Sequence, residues 1–97
     1  MVLPCVKFDD RFIRNLGRPY LFSLAEILCH GTLTPEEHGE IFRMDSLHSR
    51  LMLDYLCEIS LVEMHEADDN GQAVHYGMNP VFYYPVSSSL ESLNILY

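Results

Sequence analysis

Glu63, His65 and His75 come nearest to a metal site in this chain. Imidazole and carboxylate together suit zinc and similar ions. A hairpin over residues 62–78 would make the two histidines cross-strand neighbours, with Glu63 two residues along the same side. Solvated histidines on a hairpin are the commoner outcome of that pattern. Cys29-His30, with Cys5 or His38, is a second combination of ligand types, although a cysteine at 29 or 57 is more often a small core residue. The three cysteines, Cys5, Cys29 and Cys57, are odd in number and contain no CxxC, so reduced thiols and no disulfide framework are expected. There is no GxSxG, HExxH, P-loop or glycine-rich dinucleotide turn, and the acids are dispersed. The expectation is a non-enzymatic protein without a cofactor. Side chains able to touch nucleic acid are Arg11, Arg14, Arg18, Arg43, His48 and Arg50, against the plainer reading of scattered solvated charges.

The 97 residues make one domain's worth of chain, 48% hydrophobic and 21% charged, a folded globular composition. No apolar run is long enough for a membrane span, and residues 1–5 lack the basic and apolar regions of a signal peptide. A cytoplasmic protein is therefore expected. Fourteen acids against six bases give a net charge of −8. All six bases lie in residues 1–50 beside seven acids, whereas residues 51–97 carry seven acids and no base. Such a field repels phosphate and attracts basic partners. A halophilic source would also give an acidic, lysine-poor chain, and the sequence leaves that alternative open.

The elements that must position these residues follow from periodicity and caps. Asp9 or Asp10 caps a short helix with Phe8, Phe12, Ile13 and Leu16 on one side and Arg11, Arg14 and Arg18 on the other, and Gly17 is expected to stop it in the left-handed region. Pro19 opens a helix over 20–30 with the stripe Leu21, Leu24, Ala25 and Leu28, ended by Gly31. Thr34, Pro35 and Glu37 form a capping box for a helix to about Phe42, and Asp45 or Ser46 caps a fourth to about Ile59. From Leu61 the period becomes two. Even-numbered residues face inward on both strands, opposing numbers sum to 140, and Asp69-Asn70-Gly71 makes the loop. After Asn79-Pro80 comes an aromatic run, a break at Pro85, and a last helix over 89–97 capped by Ser88 with Glu91, carrying Leu90, Leu93 and Tyr97 on one side.

Helix, helix, short helix, longer helix and hairpin is the order of a winged helix-turn-helix, an α+β fold. Residues 21–76 resemble the DNA-binding domain of ArsR and MarR-like transcription regulators. Leu33-Thr34-Pro35-Glu36-Glu37 matches the first helix of the motif, and residues 53–62 match its closing "L..L...GLV" pattern with Ser60 where the family usually has glycine. Gly71 and Tyr76 match the wing. The resemblance makes residues 46–58 the recognition helix, and it includes metal and redox sensors among the relatives. A single domain over 1–97 is expected, with a core about 19–79 and the terminal segments 1–18 and 80–97 as dimer or cover elements.

Two departures from the family shape the functional expectation. Recognition helices present polar and basic groups to base edges, but here Leu47, Leu51 and Tyr55 fall on the face that would enter the groove. Glu66, Asp68 and Asp69 stand in the wing where Lys or Arg would hold phosphate. The expectation is a small regulator-type protein working mainly through protein contacts, with Leu47, Leu51, Tyr55 and Glu58 at the partner surface and homodimerisation through the terminal segments. Coverage of that face by residues 82–97 is the intramolecular alternative. Two other functions stay open. One is a DNA-binding repressor using helix 46–58, with Arg43, His48 and Arg50 on or beside it and the Arg11, Arg14, Arg18 row on the backbone. The other is an acidic inhibitor or DNA mimic presenting Glu58, Glu63, Glu66, Asp68 and Asp69 to a basic partner.

Overall fold

The computed structural model describes residues 13–66 and 74–95. The start of the first expected helix, with Asp9, Asp10 and Arg11, the loop 69–71 with Asp68, and Cys5 and Tyr97 lie outside them. Ile13 and Arg14 are helical, and Leu16 N donates to Ile13 O. Helix α1 spans Arg18–His30. Gly17 is its N-cap at φ −61°, not the left-handed stop expected there. The Pro19 ring suits the first turn, where helical N–H groups have no partner, so chain reversal needs no positive φ. Gly31, at φ 85°, does end α1, with its N–H bonded to Ile27 O at 2.8 Å.

A two-residue strand β1, Thr32–Leu33, follows. It is too short for any periodicity to announce it. Thr34 then accepts Glu37 N–H at 3.1 Å while Glu37 Oε1 accepts Thr34 N–H at 2.9 Å, the capping box that starts α2, Pro35–Phe42. Arg43 closes α2 at φ 55°. Asp45 Oδ1 accepts His48 N–H at 2.8 Å and starts α3, Ser46–Glu58. The crossing of α2 and α3 depends on Gly39, because a Cβ there would lie 2.6 Å from Met44 O.

Strands β2, Val62–His65, and β3, His75–Met78, pair antiparallel with Val62 opposite Met78 and His65 opposite His75, the register expected. Strand β1 adds to the other edge of β3, giving the order β1-β3-β2. Inward alternation holds for Val62 and Tyr76 but fails at Met64, which is 43% exposed near the open end of the hairpin's described residues. Odd-numbered Gly77 is buried instead, between Thr32 and His65.

The tail differs from its expected form. Asn79 Oδ1 accepts Val81 N–H and starts a 3-10 turn, Pro80–Phe82, which runs into α4, Tyr83–Ser92. Pro85 does not break it. Proline at the third helical position lacks only an N–H that would find no partner in the helix anyway. Ser88 therefore sits inside α4 rather than capping it. Val86 and Leu90 of α4 join Ile13, Leu16, Leu24, Ile27, Leu53, Leu56, Leu61 and Tyr76 in one core. The stripe on α1 is wider than its leucines suggest, since Ser23 and Ile27 are also buried. Among the described residues no helix is long and apolar enough to cross a membrane.

Candidate functional site: the outer face of α3

Ser49, Leu53 and Leu56 bury one side of α3 completely. The opposite side carries Leu47 at 66% exposure, Leu51 at 59% and Tyr55 at 39%. Asp54 and Glu58 are exposed as well, and their spacing from Leu47 and Leu51 puts all four on one stripe of a 3.6-residue helix. Helix α4 does not cover this face. Its apolar side is committed to the core through Val86 and Leu90, and the Tyr20 ring, 5.0 Å from that of Tyr55, leans on the edge of the α3 face.

The wing side of α3 is held by a buried phenol. Tyr76 O–H donates to Asp54 Oδ1 at 2.6 Å, and Arg50 Nε lies 3.9 Å from Asp54 Oδ2. Burial, and then the bond to Asp54, push the Tyr76 phenol well above the usual tyrosine range. The tyrosine stays a neutral donor, and the only arginine on α3 stands beside a carboxylate. Burial, with Asp54 and Glu63 nearby, raises the Cys57 thiol to about 11, so it is a protonated core-edge thiol and not a reactive thiolate.

The DNA-contact candidates are divided. Arg14 and Arg18 line a cavity of about 310 Å³ with Leu16, Leu21, Phe22, Leu93, Asn94 and Ile95, and Arg14 Nη2 donates to Ser92 Oγ at 3.4 Å. Arg43 is exposed in the turn between α2 and α3. The His48 ring binds the Asp45 carboxylate at 2.8 Å, and the His48 backbone and ring bonds hold that carboxyl below its usual range. From the start of α2 to the residue after β2, residues 35–66, eight acids oppose two arginines, all ten exposed. Such a surface repels phosphate.

The metal candidates do not assemble. His65 and His75 are neighbours as expected, with ring centroids 5.1 Å apart and planes 24° from parallel. Yet among the described residues no group of three His, Cys, Asp or Glu is arranged so that it could hold a metal ion, so Glu63 does not complete a site with the two histidines. The second combination fails at His38. This ring is fully buried, with Nε2 and Nδ1 each 2.8 Å from a serine oxygen, Ser23 Oγ and Ser49 Oγ. Ser23 O–H donates to Pro19 O at 2.8 Å, so Ser23 Oγ accepts from Nε2–H and Nδ1 accepts from Ser49 O–H. Burial lowers the His38 pKa, and a neutral imidazole joins α1, α2 and α3. Cys29 is exposed elsewhere on α1, and His30 bonds Glu26. Three polar residues 15 and 11 positions apart leave no local signal, and this network is not legible in the sequence.

No family model and no curated protein sequence matches the chain. Solved structures do. The chain superimposes on a mutant MarR from E. coli with a TM-score of 0.70 at 18% identity, over 88% of this chain and 67% of that one. The YusO protein from Bacillus subtilis gives 0.67 at 17% identity, over 88% and 62%. A mutant MarR from E. coli complexed with operator DNA gives 0.65 at 20%, over 84% and 63%. The chain thus spans about two thirds of the length of these structures. Taken with the order of helices and the three-stranded sheet, the superposition establishes a winged-helix fold like that of these MarR and YusO structures.

Proposed function

We propose that this protein is a non-enzymatic winged-helix protein of the transcription-regulator type that acts mainly through protein contacts, as a homodimer. The observation that carries the reading is the outward face of α3, where Leu47 and Leu51 stand open to solvent beside Asp54 and Glu58. A helix that reads base edges needs donors and cations there. An open leucine pair suits a protein surface. Leu47, Leu51, Tyr55 and Glu58 are the partner-binding residues in this reading. The terminal segments 1–18 and 80–97 are the dimer elements, and the exposure of Val81 (75%) and Tyr84 (82%) supports that role.

One observation favours a second reading. The operator complex of MarR shares this fold, and a direct DNA binder would use Arg43, His48 and Arg50 at the groove and Arg11, Arg14 and Arg18 on the backbone. Light scattering, with fluorescence-anisotropy titration of a random duplex at about 50 and about 200 mM salt, separates the two. A dimer that binds at neither salt is the expected result. Binding at low salt that collapses by the higher salt would refute the protein-contact reading.

A further inference from the structure

Leu47, Leu51, Asp54 and Glu58 occupy one stripe of α3 at i, i+4, i+7 and i+11, apolar at the N-terminal end and acidic at the C-terminal end. At 1.5 Å per residue the stripe is about 16 Å long, three helical turns. A second copy of this chain fits it badly in either direction. Two parallel α3 helices would set carboxylates against carboxylates, and an antiparallel pair would bury Glu58 against Leu47 of the other copy, a charge desolvated without a partner. The surroundings reinforce the sign, with eight exposed acids and two arginines in residues 35–66, one arginine already beside Asp54.

We propose that this stripe seats a basic amphipathic helix of another protein, its apolar side chains on Leu47 and Leu51 and its Lys or Arg side chains on Asp54 and Glu58. The inference rests on the protein-contact reading above and names the chemistry of the partner. Tyr55, exposed next to Leu51 on α3 and braced by Tyr20, extends the apolar seat on one flank.

The test uses the full chain and two labelled 18-residue helical peptides with leucines at i and i+4. One carries Lys at i+7 and i+11, the other Glu. The lysine peptide is expected to bind at least about tenfold more tightly at about 50 mM salt. Leu51→Ser should weaken it by about tenfold, the order expected for exposing a leucine seat. Glu58→Lys should shift preference toward the glutamate peptide, a reversal that a merely destabilised protein would not show. Both positions are exposed, and circular dichroism of the variants checks that they fold. Equal affinity for the two peptides, or no saturable binding of the lysine peptide, overturns the inference. So does a dimer that Leu51→Ser dissociates, which would assign the stripe to a second copy while leaving the protein-contact reading intact. Tight, salt-sensitive binding of a DNA duplex that competes with the peptide would overturn both.

Discussion

Titrating His38 should weaken the junction of α1, α2 and α3, because the folded protein holds that ring neutral. Its Nδ1 accepts from Ser49 O–H and its Nε2–H donates to Ser23 Oγ, so a second ring proton would face a hydroxyl that is itself donating. The ring also packs on Phe42, with centroids 4.6 Å apart. Burial lowers the folded-state pKa from the ordinary value of 6.5. The unfolded chain therefore binds more protons than the folded one between those two values. Stability is fully present above about pH 6.5 and is lost as pH falls toward the folded pKa, with a slope of at most about 1.4 kcal/mol per pH unit from this one group. His38→Gln keeps one donor and one acceptor but cannot titrate. It should cost about 1–3 kcal/mol at about pH 7.5 through imperfect bonding, and its deficit should narrow as pH falls to about 5.5. Urea unfolding at three pH values across that range reads the difference, in which carboxylate effects common to both proteins cancel. Parallel pH profiles for wild type and variant would refute the reasoning, as would a long-range nitrogen-proton NMR spectrum showing the proton on Nδ1.

Two backbone positions give sharper tests of the fold. Gly39→Ala drives a methyl to within 2.6 Å of Met44 O and should destabilise by about 1–3 kcal/mol, measured by thermal melting, as the α2–α3 turn is pushed apart. Ser60→Gly relieves a φ of 69° and should raise stability by about 1 kcal/mol, or several degrees in Tm for a domain this size; an unchanged or lower Tm would contradict the strain.

What can be read from the sequence is what is local. The capping box at Thr34 and Glu37, the Asp45 cap and the hairpin register each involve groups within a few residues or a strict period, and each stands in the structure. Pro85 and Gly17 mislead when residue type is weighed without its place in the turn. Strand β1 exists only through pairing with β3, and the Ser23-His38-Ser49 network only through packing of three helices. At Ser60 the departure from the family pattern falls where the backbone does need a positive φ. The exposed α3 stripe is legible in its spacing, but whether α4 covers it depends on where Val86 and Leu90 find their core.

The same fact decides between the readings of α3. In a small domain a helix that is apolar nearly all round is ordinarily buried on two sides. Here the segment that could have supplied the second layer packs into the core instead, with Val86 and Leu90 fully buried. Leu47 and Leu51 are left in water, each carrying an unburied apolar area that contributes nothing to folding. Lys or Glu at those two positions would hold the helix as well and improve solubility. In the proposed reading the two leucines contribute instead to the surface on which a partner lies. In that reading the acid pair in the same stripe selects a cation-bearing occupant, which a phosphate backbone is not.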